Sequence, residues 1–235
     1  MVARLVLSLL LSLLFSWGTS LVALAEVAGN LTRAGNGPEL PTIEPRDRAF
    51  GEATPRAYLD AVWDGNSKPV EMVKAGQAHI AVTGTEAPDL SATPIAWDGI
   101  GVLVHHSNFT KEVTTQQVAD IVSGKITGAA KVIGPDEQVV KTVVGTLPPL
   151  STIAYLSLSQ ELPVVSGGVA VRPLPIDKVE PEVPTVKDSR YPFRRPLLLL
   201  SKKEPHPVAE AFAQFVLSQA GQQLIAETYI PLQEK

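Results

Sequence analysis

The fold of this chain is decided by residues 61–73, which read Ala-Val-Trp-Asp-Gly-Asn-Ser-Lys-Pro-Val-Glu-Met-Val. The apolar residues up to Trp63 predict the end of a β-strand, and the Gly-Asn-Ser sequence that follows predicts a tight turn. Ser67 is a preferred helix N-cap, and Pro69 suits a first helical turn because its missing N–H would have no partner there. Such a turn offers free backbone N–H groups and a positive dipole end to an anion. An ordinary capped helix is the simpler interpretation of these residues alone.

The same alternation of strand, turn and helix surrounds this stretch. Residues 31–40 form a second strand-turn-helix junction. They are followed by a predicted helix over residues 42–51, in which Pro45 fits only the first turn. Residues 79–83 predict a short buried strand. The order β-α-β-α-β indicates a parallel sheet and the α/β class.

The rest of the chain predicts one long strand and several shorter elements. Residues 94–106 form an apolar strand that is long enough to cross between two lobes. Thr114 or Thr115 caps a helix over residues 116–123. We further expect a strand over residues 139–144, a loop over 148–152 that opens a helix over 153–158, a strand over 195–201 and one long helix over 208–226.

Composition restricts the classes of function. The chain has 235 residues, of which 45% are hydrophobic and 19% charged, which is typical of a globular protein. Its net charge of −4 does not favour a nucleic-acid partner held through phosphate neutralisation. The absence of cysteine excludes disulfides, thiolate catalysis and Cys-type zinc sites. The four histidines lack the spacing of a metal site, so we expect no metal and no cofactor.

The N-terminus predicts export. Arg4 precedes an apolar run over residues 5–15, and Ala23-Leu24-Ala25 has the small-x-small pattern of a signal-peptidase site. We expect residues 1–25 to be a cleavable signal peptide and the product to be periplasmic. An uncleaved anchor is the rival interpretation, because residues 5–25 are long enough to span a bilayer. Polar residues in the second half of the run favour cleavage.

Several segments resemble the phosphate-type (PstS-like) periplasmic solute-binding proteins, the substrate-binding components of ABC transporters. Residues 94–108 are similar to the family's crossing strand. Residues 113–127 are similar to its signature of a threonine, a helix and Ser-Gly-Lys-Ile. Residues 191–197, 215–225 and 229–232 resemble its C-terminal strand, helix and tail. Each motif alone is weak, but together they cover most of the chain beyond the signal peptide.

The resemblance implies a two-lobed periplasmic-binding-protein-like (type II) α/β fold that closes about a hinge on its ligand. Lobe 1 is expected in residues 26–100 and 191–235, and a shortened lobe 2 in residues 101–190. The expected ligand is a small oxyanion, phosphate first, held in the cleft between the lobes without any reaction. A membrane permease of an ABC transporter is the expected protein partner, the chain is expected to be a monomer, and no nucleic acid is expected to bind.

The resemblance also places the ligand contacts, in turns at helix N-termini. Hydroxyl and backbone N–H groups suit a buried oxyanion because an anion removed from water is very costly unless it is hydrogen-bonded. By position, the candidate ligand-binding residues are Asn36, Gly37, Asn66, Ser67, Thr83, Thr85, Ser151 and Thr152.

The chain departs from the family in its second half. Relatives carry Ser-Gly-Thr where this chain has Ser151-Thr152, and often an arginine on the preceding strand, whereas residues 143–147 contain none. The acids Glu39 and Glu86 are interpreted as surface residues rather than as proton acceptors that would select phosphate over sulfate. Arg194 and Arg195 either reach the cleft or flank a strand, and we favour the second interpretation.

Two other functions stay open at this point. A shortened second lobe is consistent with a sensor or accessory protein that binds a partner protein or another ligand on the same fold. A phosphate-ester hydrolase on a similar scaffold would turn over a generic ester and lose that activity in Ser67→Ala.

Overall fold

The computed structural model describes residues 26–37, 40–64, 66–123, 125, 137–145 and 152–232. The expected signal peptide and most of the loop expected over residues 148–152 therefore lie outside the described residues. Among the helices of the described residues, none combines the length and apolar character needed to cross a membrane.

Strands and helices alternate along the described chain, which confirms the α/β class. The strands are β1 (Ala28–Gly35), β2 (Arg56–Trp63), β3 (Ile80–Thr83), β4 (Ser91–His105), β5 (Ile153–Ser157), β6 (Val171–Leu174), β7 (Arg194–Ser201) and β8 (Ile230–Pro231). The helices are α1 (Leu40–Ala53), α2 (Pro69–Ala75), α3 (Thr115–Val122), α4 (Glu137–Gly145), α5 (Leu158–Ser166), α6 (Val183–Lys187), α7 (Pro207–Leu217) and α8 (Gln219–Ile225).

The first three strands form the parallel part of the sheet. β1 pairs in parallel with β2, with Gly35 opposite Trp63, and in parallel with β3, with Ala34 opposite Ala81. α1 and α2 make the two crossover connections. The predicted β-α-β-α-β order is thus confirmed. Because parallel strands end at the same edge of a sheet, the turns that follow Gly35, Trp63 and Thr83 lie at one edge.

The long strand β4 changes partners along its length. Residues 91–99 pair antiparallel with β7, which itself pairs antiparallel with β3. Residues 100–104 pair antiparallel with β5, and residues 102–105 pair antiparallel with β6. The long strand predicted from the sequence is confirmed. The change of partners follows Gly99, while the lobe boundaries expected at residues 100 and 190 stay a prediction.

Apolar side chains bury separate clusters in the two parts of the sheet. In the parallel part, Phe50 of α1 meets Phe212 of α7 edge to face at 5.3 Å between ring centroids, above the buried Leu31 of β1. Around the far end of β4, Val102 packs in a second cluster with Leu174 of β6. Burying each such side chain contributes roughly 1.5–3 kcal/mol.

The strand predicted over residues 139–144 is wrong, because these residues lie in helix α4. Val139 and Val143 are both buried, and the cluster around Val143 includes Leu103 of β4 and Leu156 of β5. Residues four apart share one face of a helix, so a valine-rich run can supply a packed helical face. Tertiary packing here overrides the preference of β-branched residues for strands.

The helix predicted over residues 153–158 is also wrong. Residues 153–157 form strand β5, with Tyr155 opposite Val102, and the next helix begins only at Leu158. Ile153 and Tyr155 are residues that favour strands, and they pair with Val104 and Val102 of β4. Thr152 therefore precedes a strand, not a helix N-terminus.

Two helices differ from their predicted bounds. The single helix expected over residues 208–226 is divided into α7 and α8 at Ser218, whose extended backbone ends one helix while its hydroxyl accepts the Gly221 N–H of the next. Helix α1 begins at Leu40. Pro45 consequently lies inside this helix, not in its first turn as predicted.

Candidate functional site

The candidate site is the edge of the sheet where β1, β2 and β3 end. Six of the eight predicted residues follow or end these strands: Asn36, Gly37, Asn66, Ser67, Thr83 and Thr85. Of the other two, Ser151 lies outside the described residues, and Thr152 is buried immediately before β5.

Hydrogen bonds tie the first two turns together. The Ser67 hydroxyl donates towards the carbonyl oxygen of Gly35 at 2.5 Å and lies 3.0 Å from that of Asp64. In return, the side-chain amide of Asn36 donates to the carbonyl oxygen of Ser67 at 3.1 Å. The Asn66 N–H donates to the Asp64 carboxylate at 2.8 Å. These bonds hold the turns in a fixed relation.

Trp63 adds a second connection between the same turns. Its indole N–H donates to the carbonyl oxygen of Gly37 at 3.0 Å. Its ring lies so close to Gly35 that a Cβ at that position would be 2.1 Å from a ring carbon. Glycine is therefore required at position 35 by the close approach of the indole.

The assignment of Ser67 as a helix N-cap is wrong. The N-cap of α2 is Lys68, whose side chain makes no capping bond, and Pro69 occupies the first turn as predicted. The single hydroxyl hydrogen of Ser67 is used to join the two turns and is not available to the helix or to a ligand. Ser67 thus positions the turns.

The third turn contains two threonines and a glycine. The Thr85 N–H donates to the hydroxyl oxygen of Thr83 at 3.2 Å. Because a hydroxyl can accept and donate at once, Thr83 can also donate its hydrogen to a ligand. Thr85 is exposed, and Thr83 is partly buried. This turn supplies uncharged hydrogen-bond donors beside the first two.

Arg195, interpreted from the sequence as a residue that flanks a strand, instead contacts this third turn. A Cβ on Gly84 would lie 2.8 Å from Arg195 Cδ and 2.9 Å from its Nη1. The Nε and Nη2 atoms of Arg195 are each 3.2 Å from Asp98 Oδ2. An acid in an apolar strand is the sequence signal that could have revealed the pair, because buried carboxylates are almost always paired.

Asp98 is the buried centre of this ion pair. It is 2% exposed, and Ser157 donates its hydroxyl to the second carboxylate oxygen at 2.8 Å. Burial raises the pKa of the Asp98 carboxyl above its ordinary value, while the Arg195 charge and the Ser157 hydrogen bond oppose that increase. Strands β4, β5 and β7 thus meet at one charged cluster.

A second acid, Glu161 of α5, is buried next to this cluster. It is 1% exposed, and it packs so tightly on Gly101 that a Cβ there would overlap its Oε2 at 1.4 Å. Its Oε2 has no hydrogen-bond partner among the described residues. Burial, and then the neighbouring Asp98 charge, raise the pKa of Glu161 to about 8.

A cavity of about 720 Å³ has Asp98, the ion-pair partner of Arg195, in its wall. Trp97 and Asp98 of β4, Leu158 of α5, Val183 of α6 and Ile230 of β8 contribute to its walls, which are mainly apolar. None of the described candidate residues lines it. The cavity and the predicted oxyanion turns are therefore separate features.

Comparison with known proteins gives a partial sequence match. No protein-family model matches the chain. It is 29% identical over 106 residues to the phosphate-binding protein PstS 2 of Streptococcus pneumoniae, a region covering 43% of this chain and 36% of that protein. The match thus spans only about a third of the length of this curated relative.

Solved structures match over a larger part of the chain. A phosphate ABC transporter substrate-binding protein with bound phosphate from Clostridium perfringens is 22% identical with a TM-score of 0.68, covering 87% of this chain and 100% of that one. An ABC-type phosphate transport receptor from Vibrio cholerae is 17% identical with a TM-score of 0.72 and the same coverages. The fold predicted from the resemblance is confirmed.

Proposed function

We propose that this chain, which resembles the phosphate-type solute-binding proteins in sequence and fold, captures a small oxyanion, most favourably phosphate, and catalyses no reaction. The observation that carries the proposal is the joining of the turns after β1 and β2 beside the turn after β3. Together they hold uncharged hydrogen-bond donors at one edge of the sheet.

The donors at this edge suit an oxyanion. The Asn36 amide, the Thr83 hydroxyl and the backbone N–H groups of the turns are neutral, and hydrogen bonds from such groups to a charged oxygen are stronger than those between neutral groups. The bonds of Ser67 and Trp63 fix the turns before a ligand arrives, so less conformational entropy is lost on binding. Gly37 contributes a backbone N–H group, and Asn66 contributes its side-chain amide, because its backbone N–H already donates to Asp64. Thr85 contributes an exposed hydroxyl.

The proposed contacts from the opposite side of an inter-lobe cleft are Ser151 and Thr152. Thr152 is a weaker candidate for a ligand contact than the six residues at the strand ends, because it is buried and precedes a strand. We therefore assign the main part of the binding free energy to the turns after β1, β2 and β3.

The proposal includes export and delivery of the ligand. The apolar run after Arg4 and the Ala-x-Ala sequence at residues 23–25 support a signal peptide over residues 1–25 and a periplasmic location. The names of the similar proteins, which describe phosphate transport receptors, support a membrane permease as partner. The protein acts as a monomer in this proposal.

Isothermal titration of the purified protein, freed of bound phosphate, tests the proposal. Inorganic phosphate should give saturable heat, and sulfate and molybdate serve as comparison anions. Thr83→Val, which removes a donor without changing side-chain shape, should weaken phosphate binding by about tenfold. Thr110→Val, in the loop after β4, is the matched control and should bind as the wild type does.

The proposal fails if the wild-type protein gives no heat with any of the three anions. That result would favour an accessory or sensor protein with a different ligand. Equal phosphate affinity in the wild type and Thr83→Val would instead remove the third turn from the site.

A further inference from the structure

Arg195 lies between the turn that follows β3 and the long strand β4. β7 begins at Arg194 and runs between β3 and β4, with Leu198 opposite Thr83 and Arg195 opposite Asp98. The side chain of Arg195 extends to the third turn, where it packs against Gly84 between the two candidate threonines. The guanidinium group is thereby beside the proposed ligand donors.

The ion pair with Asp98 fixes this position. The Asp98 side chain is 1% exposed and the Arg195 side chain 33% exposed, so the acid lies inside and the base reaches the surface. The Ser157 hydroxyl donates to the other carboxylate oxygen and holds the acid in place. The Arg195 guanidinium is therefore oriented before any ligand binds.

We propose that Arg195 supplies the positive charge of the oxyanion site and that Asp98 is its positioning residue. The proposal rests on the function proposed above and names the group that neutralises the ligand. A planar guanidinium can donate two parallel hydrogen bonds to a phosphate, which neutral donors cannot match in charge. It also accounts for binding without an arginine in residues 143–147.

Arg194 provides a matched control on the same strand. Successive residues of a strand point to opposite faces of the sheet. The Arg194 guanidinium accordingly stacks on the Trp97 ring at 3.9 Å from its centroid and donates to the Val186 carbonyl at 3.3 Å. Arg194→Gln removes the same charge one residue away but on another face.

Titration of inorganic phosphate into four purified variants tests the assignment. Arg195→Gln should weaken binding by about 30-fold, since it removes charged hydrogen bonds to the ligand. Arg195→Lys, which keeps the charge but loses the planar fork, should weaken it by about tenfold. Arg194→Gln should bind within about threefold of the wild type, because the Arg194 guanidinium lies against Trp97 on the other face of the sheet and charges away from a site act weakly on it.

Asp98→Asn separates a ligand-binding role of Arg195 from a structural one. This variant breaks the ion pair but keeps the guanidinium, so phosphate affinity should fall by only about fivefold, while thermal stability decreases. If Arg195 only held the strands together, Asp98→Asn and Arg195→Gln would weaken binding equally.

Three results would decide against the assignment or its premise. A wild-type protein that does not bind phosphate overturns the proposed function and this inference with it. Wild-type affinity in Arg195→Gln overturns the role of Arg195 alone and leaves the function standing. Should circular dichroism show that Arg195→Gln is unfolded, wild-type affinity in Arg195→Lys overturns the role instead.

Discussion

The parts of the chain before and after the change of partners in β4 use strands differently. In the first part, β1, β2 and β3 run in parallel, so the turns that follow them gather at one edge. In the second part, β5 and β6 both run antiparallel to β4. Both therefore end at the edge opposite to the one where β4 ends. Six of the eight candidate oxyanion-binding residues lie at the strand ends of the first part.

Both parts contain buried charged groups. In the first part, Arg33 of β1 is ion-paired with Asp47 of α1 and donates to the carbonyl oxygen of Asp60. At the junction, Arg195 balances Asp98. In the second part, Glu161 lies beside Asp98, and no ion pair of Glu161 is found among the described residues. The first part has a comparable group, because Arg46 of α1 is fully buried, its guanidinium nitrogens have no hydrogen-bond partner among the described residues, and burial lowers its pKa to about 10.

The largest expected effect tests the packing of α4 in the second part. Val143 is fully buried and Val144 is 38% exposed. Val143→Asp should lower the free energy of unfolding by about 4 kcal/mol, because it buries an unpaired charge. Val144→Asp is the control and should change it by less than about 0.5 kcal/mol. Urea unfolding of both variants gives the measurement, and equal losses would contradict the packing of α4 described above.

A smaller effect is expected from glycine substitutions in the two parts. Gly35→Ala drives a Cβ into the Trp63 ring and should lower the free energy of unfolding by about 3 kcal/mol. Gly145→Ala meets no atom within 4 Å and should be neutral or stabilise by about 0.5 kcal/mol. Thermal unfolding compares the pair. A neutral Gly35→Ala would show that Trp63 does not join the first two turns.

The sequence predicts the secondary structure of the first part of the chain better than that of the second, and the reason is physical. Residues 61–73 contain a strand end, turn residues and Pro69, and each signal depends on neighbours along the chain. Residues 139–144 and 153–157 contain the same kinds of apolar residue, but their structure depends on β4, which is distant in sequence. Local pattern cannot say which of two apolar runs becomes the strand.

In the candidate site, too, the sequence predicts what depends on neighbouring residues and misses what depends on distant ones. The resemblance selected Asn36, Ser67 and Thr83, and the predicted strands put them at strand ends, without knowledge of their contacts. The use of the Ser67 hydroxyl to join two turns, and the reach of Arg195 to Gly84, depend on pairings between residues that are far apart in the chain. Such pairings carry no signal in one sequence.

A further prediction compares hydroxyl groups from the two parts. Ser67→Ala removes the bond to Gly35 and should weaken phosphate binding by about tenfold, because the turns lose their fixed relation. Ser166→Ala removes a bond to the Pro163 carbonyl on the exposed surface of α5 and should leave affinity unchanged. Isothermal titration measures both. Unchanged affinity in Ser67→Ala would mean that binding does not depend on how the first two turns are joined.

The smallest expected effect concerns the pH dependence of stability, and it tests the buried acid of the second part. The folded pKa of Glu161 is raised from 4.5 to about 8, so the folded state holds a proton that the unfolded state releases. Stability from this group is complete below the unfolded pKa and is lost as pH rises towards the folded pKa, by at most about 1.4 kcal/mol per pH unit. Between about pH 7 and 8.5 the loss should be about 1 kcal/mol.

The other groups near Glu161 do not reverse this direction. Elsewhere in the chain, burial lowers the pKa of His79 below its ordinary value, so that residue is neutral across the same range. Asp98 and Arg195 already form an ion pair, and burial raises the pKa of Tyr191, which stays protonated. Glu161→Gln should therefore remove the decline in unfolding free energy, whereas Glu210→Gln on the exposed face of α7 should keep it. An unchanged decline in Glu161→Gln would mean that the buried acid is already ionised in the folded protein and that another group causes the decline.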